Sequence, residues 1–177
     1  HNSKVKMFHD DAFHYIKSAS SKYSLIINTI YQPTYFSSSK LYSREYYEAI
    51  SAHLKPGGVF AFWIDGTFGR KGFDIMATTA SHVFKQCGMA YIKSAYFVVT
   101  CTNDRLKVRD IDRVAKAPML AAYFRSHDYD TSRLVYHFLH ADIGKLISHE
   151  PVREHRLDYT ALEFALANAM EETQMMA

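Results

Sequence analysis

Between Tyr23 and Trp63 the chain reads YSLIINTIYQPTYFSSSKLYSREYYEAISAHLKPGGVFAFW, and no other stretch limits the fold as strongly. Leu25 to Ile30 is apolar and β-branched except at Asn28, which predicts a strand buried on both faces. Gln32 to Lys40 is rich in Ser and holds Pro33, which predicts a loop. Ser43 predicts the N-cap of a helix running through Leu54, with Tyr46, Tyr47, Ile50 and Leu54 on its buried stripe. Pro56-Gly57-Gly58 stops that helix, and Val59 to Ile64 predicts the next buried strand. Strand, loop, helix and strand in this order form one β-α-β unit of a parallel sheet. Open α/β sheets bind ligands beyond the carboxyl ends of their strands. The loop after the first strand is therefore where chemistry is expected, and the residues offered there, Asn28 and Gln32, are amides.

The flanking segments extend this pattern. Val5, Met7 and His9 alternate with Lys4, Lys6 and Phe8, which predicts a short strand. Asp10 and Asp11 end it, and Asp11 is placed to cap a helix over Ala12 to Ser20. Gly66, Gly69 and Gly72 punctuate a loop. A helix carrying Phe73, Met76, Ala77, Ala80, Val83 and Phe84 follows, with Gly88 as its stop. Met89 to Lys93 and Phe97 to Thr102 predict two strands in hairpin order. Beyond them, helices are expected over Ile111 to Arg125, over Thr131 to Ser148 with Asp130 as cap, and over Leu162 to Met170. The whole reads as α/β: a partial Rossmann-like, mostly parallel sheet with helices on both faces, an antiparallel far edge and a helical C-terminal part. Two regions are expected, residues 1–105 and a helical extension over 106–177.

Composition removes several classes of function. Of 177 residues 48% are hydrophobic and 22% charged, as in ordinary globular domains. A net charge of +3 with scattered Lys and Arg argues against nucleic acid. The apolar runs are strand-sized, too short for a membrane span. No basic-then-apolar leader opens the chain. Cys87 and Cys101 stand singly, without metal-ligand spacing, and are expected to be small core hydrophobes in a reducing compartment, the cytoplasm. The chain opens at His1 and enters its first expected strand at once. Either its ordered region starts late or it is a piece of a longer protein.

Four places in the chain carry a family resemblance. VKMFHDDAFHYI, Val5 to Ile16, resembles a strand ending in Asp-Ala. Tyr23 to Pro33 resembles a Tyr-Asp-hydrophobic run leading to a catalytic Asp and a later Asp-Pro. LYSREYYEAISAHLKPGGVFAF, Leu41 to Phe62, is similar to a Leu-Tyr-Ser/Thr-x-Glu-Phe-Tyr helix followed by a Lys-Pro-Gly-Gly strand. LDYTALEF, Leu157 to Phe164, resembles a Thr-Asp-Asp…Leu-Glu-Phe ending. Together they resemble the spermidine/spermine synthase family, aminopropyltransferases with the fold of class I S-adenosylmethionine-dependent methyltransferases. The family's Gly-rich nucleotide turn and its ribose-binding acidic residue have no counterpart here. The resemblance thus implies the second half of such a domain, as an incomplete or degenerate member.

The resemblance also implies a site. Asp10, Asp11, Ala12, Asn28 and Thr29 would contact the nucleotide, decarboxylated S-adenosylmethionine or methylthioadenosine, with no tightly bound cofactor. A carboxylate at Asp11 accepts well from an exocyclic amine, and equally well from helix amides as an N-cap. Asn28 and Gln32 stand where the family has carboxylates that take the proton of the attacking amine. An amide cannot take it, so transfer is expected to be impaired and the amine cation to lose its counter-charges. Restoring both carboxylates is expected to raise amine affinity. Tyr31, Tyr35 and Tyr42 would attract a polyamine by their aromatic faces, or else pack internally. His137 and His140, with Asp142 nearby in sequence, could suggest a metal because positions three apart share a helix face, but there is no third ligand at diagnostic spacing, so no metal is expected. The alternative is a non-catalytic scaffold that assembles with itself, because the Tyr23 strand loses its expected neighbour in this chain.

Overall fold

The protein is described from a computed structural model, which describes residues 4–30, 33, 36–93, 95–105, 116–128 and 138–167. The elements run α1 (Ala12–Ser18), β1 (Tyr23–Asn28), α2 (Phe36–Ser39), a 3-10 turn (Lys40–Tyr42), α3 (Arg44–Ala52), β2 (Leu54–Asp65), a 3-10 turn (Gly66–Phe68) and α4 (Gly69–Val83). They continue with β3 (Gln86–Lys93), β4 (Tyr96–Thr102), α5 (Pro118–Ser126), β5 (Phe138–His140), a 3-10 turn (Ile143–Leu146) and α6 (161–167).

The five strands form one mixed sheet in the order β1-β2-β4-β3-β5. The fold is α/β, and β1 and β2 pair in parallel with Leu25, Ile26, Ile27 and Asn28 opposite Val59, Phe60, Ala61 and Phe62. The other pairings are antiparallel. Parallel pairing is thus confined to the single β-α-β crossover through α3. Everything beyond it is joined by hairpin or edge pairing, and these give the antiparallel far edge.

Local chemistry explains where the crossover begins and ends. Ser43 caps α3 by accepting from the Tyr46 amide at 3.2 Å. The helix stops earlier than expected, at Ala52 with His53 as its C-cap, and Leu54 and Pro56-Gly57-Gly58 lie inside β2, where Gly57 takes a φ of +72°, a conformation that L side chains rarely adopt. A Cβ on Gly58 would lie 3.0 Å from the Tyr23 carbonyl oxygen and 2.8 Å from that of Lys55, so only glycine lets this part of β2 run so close to β1.

The core lies on the sheet face that carries Phe60, Phe62 and Ile64, and α3 and α4 cover it. Tyr47 of α3 packs its ring against Phe60, Phe62 and Phe84 at centroid distances of 5.6, 5.4 and 6.0 Å. Aromatic pairs at such distances contribute about 0.5–1.5 kcal/mol beyond area burial. From α1, Phe13 reaches the Tyr46 ring edge-on at 5.6 Å.

Several expectations are corrected. Val5–His9 forms no strand; among the described residues no strand pairs with it, and Val5, Met7 and Phe8 are exposed. The stretch Gln32–Lys40 is not all loop, because Phe36–Ser39 is a helical turn. Gly88 lies inside β3 rather than ending α4, which stops at Val83. The helix expected over Thr131–Ser148 gives way, in its described part, to β5 and a 3-10 turn, because β3 offers an open edge that pairs Met89 with His140 and Ala90 with Phe138. Among the described residues the C-terminal part is α-helical at α5 and α6. Cys87 and Cys101 are buried, as core hydrophobes should be, yet they are not free thiols. They face each other directly across β3 and β4 and form a disulfide.

Candidate functional site

The short 3-10 turn Lys40–Tyr42 is the hub of the carboxyl end of the sheet. Its three residues each hold a different element. Lys40 Nζ donates to Asp11 Oδ2 at 2.5 Å, gripping the start of α1. The Leu41 carbonyl accepts from Asn28 Nδ2 at 3.2 Å, gripping the end of β1. The Tyr42 hydroxyl donates to the Ile30 carbonyl, with the Trp63 carbonyl 3.2 Å away, so it bridges the exits of β1 and β2. The predicted positions at the ends of α1 and β1 are thereby brought to one place.

Asp11 meets its expected description as a helix cap. Its carboxylate accepts from the Phe13 and His14 amides at 3.0 and 3.1 Å, which makes it the N-cap of α1. The Lys40 ammonium, and then these amides, hold its carboxyl below the usual carboxylate range. Asp10 is exposed, and its Oδ1 accepts from the Asp11 amide at 2.8 Å. Ala12 and Thr29 are exposed as well.

Asn28 is buried and uses both ends of its amide. Nδ2 donates to Leu41, and Oδ1 accepts from the Ile30 amide at 3.1 Å. It terminates β1 and fixes the turn that leaves it. Tyr42 is fully buried in the core and packs edge-on against Phe62 at 6.0 Å. Burial pushes its hydroxyl far above the ordinary tyrosine range. Tyr31, Gln32 and Tyr35 lie outside the described residues, as does His137. His140 accepts from the Asp142 amide, and Asp142 caps the turn at Gly144. Among the described residues no three His, Cys, Asp or Glu side chains gather to hold a metal ion.

A cavity of about 490 Å³ opens beside β1. Tyr23, Leu25 and Ile26 form one wall, and Ile16, Tyr46 and Ile50 of α1 and α3 form the floor. Lys6 and Asp10 supply its charged lining. Only Asp10 and Ala12 of the expected nucleotide residues reach it.

Residues 1–101 match the family described as Spermine/spermidine synthase domain. The chain belongs to this family. Over 71 residues it is 31% identical to Polyamine aminopropyltransferase 2 of Aquifex aeolicus (strain VF5), a match that covers 40% of this chain and 14% of that protein. Its fold resembles a crystal structure of spermidine synthase in complex with the transition state analogue AdoDATO, with a TM-score of 0.53 and 14% identity. That alignment covers 99% of this chain and 53% of the synthase chain, so this chain spans about half the synthase's length.

Within a synthase family member the two residues that sequence reasoning missed are Lys40 and Asp65. Lys40 follows a run of three serines, and nothing in its spacing marks it as the partner of Asp11. Asp65 ends β2, the strand parallel to β1, and places a carboxylate at the same end of the sheet as Asn28. Its signal was legible as an acidic residue directly after a buried strand. That carboxylate is engaged by the Thr67 amide and hydroxyl at 2.9 and 2.7 Å.

Proposed function

We propose that this chain is half of an aminopropyltransferase-like domain with weakened amine activation. Its nucleotide, decarboxylated S-adenosylmethionine or methylthioadenosine, would lie beside Asp10, Asp11, Ala12 and Thr29, and its polyamine beyond Asn28. In aminopropyl transfer the amine nitrogen bonds to the propyl carbon, the carbon–sulfur bond breaks and methylthioadenosine leaves. The amine must also lose a proton, which needs an acceptor within hydrogen-bond reach. The observation that carries the proposal is Asn28: at the carboxyl end of β1 stands an amide already committed to Leu41 and Ile30. It can orient a neighbour but cannot take a proton.

Calorimetry and a transfer assay on the protein expressed from its complete reading frame test this. Methylthioadenosine should bind with measurable heat. Transfer to putrescine should fall at least ~100-fold below that of a synthase with both carboxylates, the usual loss when a general base is absent. Transfer at an ordinary synthase rate would refute the weakened activation. A second reading, a non-catalytic scaffold, is favoured by the mutual satisfaction of Lys40 with Asp11, Leu41 with Asn28, and Tyr42 with Ile30. Absence of heat with either nucleotide would select it.

A further inference from the structure

α5 buries none of its nine residues. Met119, Tyr123 and Leu120 are 87%, 58% and 40% exposed. With about 100° of turn per residue these three fall on one side of the helix, and Arg125 falls on the opposite side. Tyr123 packs against His127 at a ring-centroid distance of 4.4 Å and against Phe124 at 5.9 Å, so its ring lies along the helix. A helix this short is marginal in water on its own and draws its stability from whatever covers its apolar side.

Charge and length say what kind of surface fits. Residues 113–127 carry Arg113, Lys116 and Arg125 and neither Asp nor Glu. Over residues 105–127 six Lys and Arg stand against two Asp. Lys116 comes just before the helix and Arg125 lies in its last turn, and both are exposed. The complementary surface is apolar in depth and negatively charged where the basic side chains meet it. At a rise of about 1.5 Å per residue α5 is roughly 14 Å long, too short to cross a bilayer and suited to lying in its plane. Its apolar stripe offers few groups for the hydrogen bonds of a protein interface, about one per 100–200 Å², whereas an acyl layer asks for none.

We infer that α5 docks on an anionic lipid surface. Met119, Leu120 and Tyr123 enter the boundary between headgroups and acyl chains, and Lys116 and Arg125 reach back to the lipid phosphates. Tyr123 suits this depth, because its ring is apolar and its hydroxyl stays wet. The contact is peripheral: it holds the domain against one leaflet and crosses nothing. The inference rests on α5 and not on the proposed activity, so a protein that binds no nucleotide leaves it standing.

Co-sedimentation with vesicles provides the test, on the protein from its complete reading frame and its Met119→Glu/Tyr123→Glu variant. Binding to phosphatidylcholine vesicles that contain phosphatidylserine should exceed binding to phosphatidylcholine alone by roughly 10-fold or more, and should weaken as salt is raised. The variant should lose that binding by about 10-fold or more. Both replaced side chains are exposed, so its Tm should stay within about 2 °C of the parent and the loss is not one of folding. In a Tyr123→Trp variant, indole emission should move to shorter wavelength when the anionic vesicles are added. Equal vesicle binding by parent and variant overturns the inference, as does no binding to anionic vesicles or an unmoved emission. Light scattering separates the competing occupant: a dimer that Met119→Glu/Tyr123→Glu abolishes would assign the stripe to a second copy and overturn the inference.

Discussion

Tyr47 is wholly buried, and its hydroxyl has no hydrogen-bond partner among the described residues. The ring is held by Phe60, Phe62 and Phe84. A buried, unpaired hydroxyl costs its full desolvation, while the ring contributes packing whether or not the oxygen is present. Burial accordingly raises its pKa well above the tyrosine value. Tyr47→Phe should therefore stabilise the fold by about 1 kcal/mol, read as a higher urea midpoint with an unchanged m-value. Asn28 is the opposite case. Asn28→Asp would set a carboxylate oxygen against the Leu41 carbonyl that Nδ2 now satisfies. The change should cost about 1–3 kcal/mol at neutral pH, measured by the same denaturation, so restoring the family's carboxylate is not free of structural consequence. The sequence shows that Asn28 is an amide at a strand end. It does not show that both ends of the amide are used, because Leu41 lies thirteen residues away across a turn whose shape is set by packing. Tyr42 was legible as a pocket or core residue, but its bridge to Ile30 and Trp63 was not, because those carbonyls meet only when β1 and β2 pair.

Among elements, α1, α3, β1 and β2 were readable for a shared reason. Their signals are the Asp11 and Ser43 caps, the Tyr46-Tyr47-Ile50 stripe and the apolar runs of the two strands, whereas the expected stop at Gly57-Gly58 falls inside β2 and not at the end of α3. β5 was not readable. Around Phe138 the helical spacing of apolar residues is genuine, but pairing with the open edge of β3 outweighs local propensity there. The disulfide was hidden for a similar reason. Cys87 and Cys101 are separated by fourteen positions, and only the β3–β4 register sets them opposite one another. Denatured without reductant, the protein should show no titratable thiol, and with reductant two. Replacing both by Ala should cost roughly 3 kcal/mol, the scale expected for a cross-link closing a loop of this length. Two thiols without reductant would return the pair to the role of plain core hydrophobes.

At the scale of the whole molecule, a buried imidazole joins the last described segment to the body, beside ion pairs such as Arg44–Glu154 and Arg156–Glu45. The His155 amide donates to the Thr79 hydroxyl of α4 at 2.9 Å, and the His155 carbonyl accepts from Arg44 of α3 at 2.9 Å. Its ring bridges Ser39 and the start of α6: Nε2 lies 3.0 Å from the Ser39 carbonyl, and the Leu162 amide donates to Nδ1 at 3.3 Å. This arrangement requires the neutral ring, with its proton on Nε2. Protonating Nδ1 would turn it toward an amide that already points at it. Burial lowers the pKa below 6.5, and the Ser39 carbonyl with Glu163 and Glu45 offset only part of that. The sign follows. Below pH 6.5 the unfolded chain takes up the proton before the folded one does, so stability is complete above that pH and declines as the pH falls toward the folded pKa. The slope from this one group is at most about 1.4 kcal/mol per pH unit. Urea midpoints at pH 7.5 and 5.5 should show the decline. In His155→Gln the amide can still donate to Ser39 but cannot titrate, so the decline should shrink. An identical pH slope in that variant would place the acid sensitivity elsewhere. Leu162 and Leu166, which sit in the same core, should lose their packing first as His155 charges, because α6 begins at the amide that His155 holds.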